Sequence, residues 1–279
     1  METGRFSRTA FRVAMRRAAH QLLDQPCVLC DPIAVPLLGS HFTLDREHES
    51  TPFARAFRNF MAARSRYAED RLAEAVAGGV KQYVVLGAGL DTFAYRNPFT
   101  GLRVFEVDFP ATQTWKRELL SGAGIDEPGN LHFVALDFEH KTLGEGLAEA
   151  GFDFAERGFF GWLGVVPYLT DDAFRSTLAT IGGMREGSGV CFDYALTPET
   201  LSPRQREVFD ALAARVAAAG EPFQLFFTPR ELEMEVVRAG FHRIEHADSN
   251  ALNALYFRHR PDGFQLSPAG IGMLATAWV

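Results

Sequence analysis

The sequence predicts an α/β protein: a doubly wound, Rossmann-like sheet of seven strands with an N-terminal helical cap. Three observations predict it. The apolar run Tyr83-Val84-Val85-Leu86 ends in Gly87-Ala88-Gly89, a turn that lets a ligand approach the backbone. A second apolar run, Val104-Phe105-Glu106-Val107, ends in Asp108, where a carboxylate grips ribose hydroxyls. Apolar strands then alternate with helical segments, as in parallel sheets covered on both faces.

The elements follow in order. Arg5, Arg8, Arg12, Arg16 and Arg17 stand among Phe6, Phe11, Val13 and Met15. This pattern belongs to helices with a solvated basic face and also to organelle transit peptides. It runs without a linker into His20-Gln21-Leu22-Leu23 and Asp31-Pro32, so it is read as part of the fold. Thr51-Pro52 supplies an N-cap and a proline at the first helical position. The helix behind it places Phe53, Phe57, Phe60, Met61, Arg64, Tyr67, Ala68 and Leu72 at helical intervals and stops at Gly78-Gly79. Strands are predicted at 82–86, 103–107, 131–136, 159–165 and 189–194. Thr170 caps the helix after the fourth strand. A helix over 199–219 ends at Gly220, and Thr228-Pro229 opens another that ends at Gly240. Segments 241–246 and 254–257 close the chain as a hairpin at the sheet edge. Residues 1–79 then form the cap and lead-in helix, and 80–279 the ligand-binding domain of one compact unit.

Composition narrows the function. A chain of 279 residues holds one large α/β domain with a cap, and 47% hydrophobic with 23% charged residues is ordinary for a globular protein. No apolar run reaches the roughly 20 residues that span a bilayer, so no membrane partner is expected. A net charge of −7 argues against nucleic acid. Three cysteines without a secretory signal point to a reducing, cytoplasmic location. Cys27 and Cys30 have only Cys191 to join them, too few for a zinc site, and are read as ordinary buried cysteines. The 25 phenylalanines against 6 tyrosines furnish a core, and a large apolar pocket for a small-molecule acceptor draws on the same residues. Nothing in the sequence specifies an oligomeric state.

The glycine loop narrows the cofactor. Thr92 stands where a dinucleotide loop needs its third glycine, and Asp91 is a poor neighbour for a pyrophosphate. A nucleoside without phosphates fits better than NAD, and the commonest is S-adenosylmethionine. Glu106 shares a face with Asp108 by period-two spacing and either orients the loop or forms an edge salt bridge. Asp137, ending the third strand, is a ligand acid or a helix cap. Arg64, on an apolar helix face, is an anion contact or a structural partner of Asp91 or Asp70. His20 in the cap is structural or touches the acceptor. Tyr168 contacts substrate or packs.

The stretch Leu86-Gly87-Ala88-Gly89-Leu90-Asp91-Thr92, with Tyr95-Arg96 behind it, resembles the signature of the leucine carboxyl methyltransferase-like family. That family includes bacterial O-methyltransferases linked to polyketide metabolism. Similar too are Arg17-Ala18-Ala19-His20 ahead of Asp31-Pro32, Ala63-Arg64-Ser65-Arg66-Tyr67, Glu106-Val107-Asp108-Phe109-Pro110 with Lys116, the stretch from Trp162 to Leu169, and Gly220-Glu221-Pro222-Phe223. The likeness runs over nearly the whole chain. It implies a class I methyltransferase sheet, S-adenosyl-L-methionine as methyl donor, and a cap over the pocket. It further implies Gly87 and Gly89 beside the methionine part, Asp108 on the ribose, Asp137 on the adenine amino group and the backbone of Phe138 on the ring. Arg64 and Arg17 would pair with the cofactor carboxylate through a guanidinium fork. One departure is visible: enzymes of this family that act on protein C-termini tend to carry Glu where Leu163 stands. The expected function is therefore O-methyl transfer to a carboxylate or hydroxyl of a largely apolar metabolite. No convincing general base is present, which favours a carboxylate. The alternatives are protein C-terminal carboxyl methylation and a cofactor-binding homologue without catalysis.

Overall fold

The computed structural model of the protein describes residues 8–137, 141–218, 220–268 and 270–279; Arg5, Phe6, Phe138 and Ala219 lie outside the described residues. Among the described residues, four α-helices precede the sheet: α1 (Arg8–Leu23), α2 (Ala34–Leu38), α3 (Arg46–Ser50) and α4 (Pro52–Ala77). The long α4 starts as its sequence predicts. Thr51 accepts a bond from the Ala54 N–H at 3.3 Å, Pro52 takes the first helical position, and Gly78 closes the C-terminus. Its inner face buries Met61, Arg64, Tyr67, Ala68 and Leu72. Arg58 joins it to the end of α1 by a two-pronged pair with Asp24, at 2.7 and 3.0 Å. Burial alone would raise the Asp24 carboxyl, but hydrogen bonds from His20 and Arg58 bring it well below the usual carboxylate range.

The sheet strands are β1 (Gln82–Leu86), β2 (Arg103–Asp108), β3 (Leu131–Ala135), β4 (Gly158–Trp162), β5 (Gly189–Ala195), β6 (Arg243–Ala247) and β7 (Gly272–Trp278). Their spatial order is β3-β2-β1-β4-β5-β7-β6. The first five run parallel, and β7 runs antiparallel to both β5 and β6. Between strands lie α5 (Pro110–Gly122), α6 (Leu143–Glu149), α7 (Asp171–Gly182), α8 (Pro203–Ala217), α9 (Pro229–Arg238) and α10 (Ser249–Leu252). Alternate residues of each strand feed opposite layers. Val84 and Leu86 pack with Phe105, Phe160 and Phe174 on one face, while Tyr83 and Val85 pack with Tyr67, Leu72 and Val104 on the other. The chain leaves β1 for β2 and β3, then returns to lay β4 on the other side of β1. That reversal opens a crevice at the carboxyl ends of the strands.

The structure corrects four expectations. Segment 254–257 is no strand. Asp248 accepts from the Ala251 N–H at 2.9 Å and starts a helix, which continues as a π turn over Asn253–Phe257. Burial there follows helical spacing, with Leu252 and Phe257 inside and Leu255 exposed. The seventh strand is the alanine-rich segment from Gly272, inserted between β5 and β6 rather than hung on the edge. The fourth strand stops at Trp162 because Gly164 turns at φ +72° into a short 3-10 turn, Val166–Tyr168. The helix expected from residue 199 starts at Pro203 under a Ser202–Gln205 capping box, behind a separate 3-10 turn at Pro198–Thr200. Finally, Cys27 is half-buried and Cys30 exposed, so only Cys191 is a core cysteine.

Candidate functional site

The glycine loop, Asp108 and Asp137 come together at the carboxyl ends of β1, β2 and β3. The Ala88 N–H donates to the Val107 carbonyl at 3.1 Å, and the Leu136 N–H to the Asp108 carbonyl at 2.9 Å. Gly87 and Gly89 have φ of +64° and +50°. A Cβ at Gly87 would stand 2.4 Å from Val165 Cγ2, and one at Gly89 would stand 3.0 Å from Ala10 Cβ. Both positions thus require glycine, once for backbone conformation and once for space. The Asp108 carboxylate accepts the N–H of Gly89 with one oxygen and that of Phe109, at 2.6 Å, with the other. Burial raises its pKa, and those two N–H bonds oppose the shift. Asp137 is half-buried just past β3.

Glu106 is fully buried beneath this loop and paired with Lys116 Nζ at 2.5 Å, while its Oε1 has no partner. Of the two roles left open, the structure assigns the salt bridge, in the interior rather than at an edge. Burial, against the pull of Lys116, pushes Glu106 up to about 7. The native carboxyl therefore keeps its proton to higher pH than the unfolded one. Glu106 favours the folded state below the ordinary value of 4.5, and that contribution is lost as pH rises to about 7. In Glu106→Gln this fall in stability between pH 5 and 7 is expected to vanish, measured by urea unfolding at several pH values. An unchanged slope would contradict the assignment.

Arg64 and Tyr168 lie on the β4 side of the crevice. Arg64 donates to Asp193 Oδ2 at 2.8 Å, and the other Asp193 oxygen accepts the Gly164 N–H. Its ionic partner is thus neither Asp91 nor Asp70. The Arg64 Nε is buried and unpartnered. Arg64, Gly164, Tyr168 and Asp193 line a cavity of about 930 Å³, which extends between α1, α4, α8 and the segment before β7. Phe11, Phe42, Phe53, Phe57 and Phe60 give it an aromatic wall. Burial, then Asp193, push the Tyr168 phenol up to about 12, so it stays protonated and can donate. Gly87, Gly89, Asp108 and Asp137 are not part of this lining. The two regions meet through the 164–165 turn, where Gly164 faces the cavity and Val165 abuts Gly87.

Arg17 binds Asp31 and Thr92, and reaches Asp91 at 3.3 Å, so α1 is pinned to the continuation of the glycine loop. Burial works to lower the Arg17 pKa, but Asp31 and Asp91 outweigh it and raise it. Its Nε, like that of Arg64, is buried without a partner. His20 is placed elsewhere. It is fully buried and outside the cavity lining. Its Nε2 accepts the Val28 N–H at 3.0 Å, so the ring proton sits on Nδ1 and donates to Asp24 at 2.9 Å. Both nitrogens are occupied, which corrects the expectation of an acceptor contact.

The residues fit a nucleoside carrying an amino-acid tail. The loop is open to close backbone approach, an anchored carboxylate ends β2, and two buried guanidinium N–H groups lack acceptors. Sequence reasoning missed Asp193. It lies 129 residues from Arg64, and its one signal was an acid inside an otherwise apolar strand. No group of His, Cys, Asp and Glu able to hold a metal occurs among the described residues.

Comparison with known proteins agrees with this geometry. The profile of the leucine carboxyl methyltransferase family matches residues 10–182. YktD of Bacillus subtilis, provisionally named an S-adenosyl-L-methionine-dependent methyltransferase, is 32% identical over 94% of this chain and 95% of its own length. A relative from Mycolicibacterium gilvum with the same provisional name is 33% identical over 72% of this chain and 70% of its own. Among solved structures, a protein from Thermobifida fusca provisionally named a methyltransferase aligns with a TM-score of 0.57 at 18% identity, covering 94% of this chain and 93% of its own. A DUF574 family protein from Streptomyces avermitilis gives 0.57 at 16%, covering 94% and 96%. These two likenesses show the shared fold. By the extent of the profile match and the identity to YktD, the chain belongs to the leucine carboxyl methyltransferase family.

Proposed function

We propose that this S-adenosyl-L-methionine-dependent methyltransferase transfers a methyl group to an oxygen of a small, largely apolar molecule, with a carboxylate as the preferred acceptor. The aromatic-walled cavity reaching Gly164 and Tyr168 carries the reading. Its volume is at the upper end for small-ligand sites. When bound, S-adenosylmethionine supplies an electrophilic methyl on a sulfonium. The chain's part is to hold and to exclude water. Asp108 and the glycine loop hold the nucleoside, Arg64 and Arg17 offer their free N–H groups to its carboxylate, and Tyr168 donates to the acceptor oxygen. Residues 1–79 act as the cap, bringing the phenylalanine wall over the acceptor. Holding an ionised oxygen about 3 Å from the methyl carbon, on the axis away from sulfur, accounts for much of the acceleration.

The acids and histidine of the lining support an acceptor that needs no base. Glu49 binds Arg16 and Arg58, Asp193 binds Arg64, Asp45 caps the His48 N–H, and the His48 ring contacts Arg16. The test is to incubate the protein with S-adenosylmethionine and matched acids, phenols and alcohols of medium chain length, scoring S-adenosylhomocysteine and methylated product by mass. Esters of the acids are expected. Turnover confined to protein C-termini, or no turnover with any acceptor, would overturn the proposal.

A further inference from the structure

The chain is acidic, with net charge −7, yet five arginines and three acids line its cavity. The acids are already engaged: Glu49 by Arg16 and Arg58, Asp193 by Arg64 and Gly164, and Asp45 by the His48 N–H. Arg64 is buried at the inner end beside Gly164, while Arg12, Arg204 and Arg215 are exposed where the cavity meets solvent. Arg215 lies over the Phe53 ring at 5.4 Å. Arg12 and Arg204 line the cavity with no ionic or hydrogen-bond partner among the described residues. On α8 the lining runs Arg204, Val208, Leu212, Arg215, one stripe of the helix by its three-to-four-residue spacing. At 1.5 Å per residue that stripe is about 16 Å long. It is an apolar track with a guanidinium at each end.

We infer that the acceptor is an elongated apolar molecule with an anionic group, carboxylate or phosphate, remote from the oxygen that is methylated. The anion rests against one of the unpaired rim guanidiniums, Arg12 or Arg204, and the opposite end reaches Gly164. This rests on the reading of the cavity as the acceptor site. The charge pattern selects the ligand twice: the phenylalanine wall rejects short polar molecules, and the unpaired guanidiniums prefer an anion to a neutral chain.

The experiment uses three probes of one length: 1,12-dodecanediol, 12-hydroxydodecanoate and 12-hydroxydodecyl phosphate. Binding to the full chain is measured by calorimetry with S-adenosylhomocysteine present, and turnover is measured separately with S-adenosylmethionine. The anionic probes are expected to bind about fivefold more tightly than the diol, as one partly exposed charge pair allows. Raising ionic strength should shrink the difference. Arg12→Gln combined with Arg204→Gln should remove it and leave diol binding unchanged, with the thermal midpoint confirming an intact fold. A preference for only one anion supports the inference and identifies its chemistry. Equal binding of all three probes, no binding of any, or an unaltered preference in the double variant would overturn it. Preferential anion binding without methyl transfer to any acceptor would leave this inference standing and sink the proposed activity instead.

Discussion

Asp108→Asn is expected to weaken S-adenosylmethionine binding about a hundredfold. Hydrogen bonds to a charged acceptor contribute roughly 1.5–3 kcal/mol, and each 1.4 kcal/mol is a factor of ten in affinity. Asp108 already accepts the Gly89 and Phe109 N–H groups, which fix its orientation at the end of β2. In the proposed reading its remaining lone pairs are offered to the ribose. Asparagine has the same shape but turns one acceptor into a donor, which then faces a backbone N–H. The loss should therefore fall on ligand affinity, while the ligand-free protein keeps its far-ultraviolet dichroism. Calorimetry decides the matter: a change of less than about threefold, below 1 kcal/mol, would remove Asp108 from the nucleoside site.

Asp193→Ala should be the most destabilising single change at the site. Arg64 and Asp193 are both largely buried, with side-chain exposures of 7% and 13%. Removing one partner leaves a buried guanidinium without its counter-charge, at a cost of about 3–5 kcal/mol. The Gly164 N–H loses its acceptor in the same step. Urea unfolding should show the loss as a lower midpoint. The paired variant Arg64→Met with Asp193→Leu separates structure from function. It should recover most of the stability, because apolar residues of similar size replace a buried pair at little cost, and it should still bind S-adenosylmethionine weakly. Full recovery of cofactor affinity would show that Arg64 serves the fold alone.

Much of this architecture is legible in the sequence because its signals are local. Thr51-Pro52, Thr170 and Thr228-Pro229 cap the helices they precede, and the β-branched run before Gly87 forms a strand buried along its whole length. The positive φ of Gly87 and Gly89 is a local demand of the turn, although the space they leave is set by Val165 and Ala10, far away in the chain. What escaped depends on distant partners. The strand from Gly272 is rich in alanine, a poor strand former; it is a strand because β5 and β6 flank it, and Gly272 itself is packed against Phe60. Segment 254–257 carries strand-forming residues, but the Asp248 cap upstream commits it to a helix. His20 reads as structural or as an acceptor contact until Asp24 and the Val28 N–H are seen on its two nitrogens. Arg12 reads as part of a solvated basic face and Arg204 carries no signal of its own, and only the folded chain sets both on one cavity.

The central claim is that a nucleoside lies across the ends of β1 and β2 with its reactive end directed past Gly164 into the aromatic cavity. A crystal structure with S-adenosylhomocysteine tests it most directly. The account predicts ribose hydroxyls about 2.5–3.0 Å from the Asp108 carboxylate, the amino-acid carboxylate against Arg64 or Arg17, and sulfur facing the cavity. A ligand bound away from Asp108, or sulfur facing away from Tyr168 and the phenylalanine wall, would contradict it.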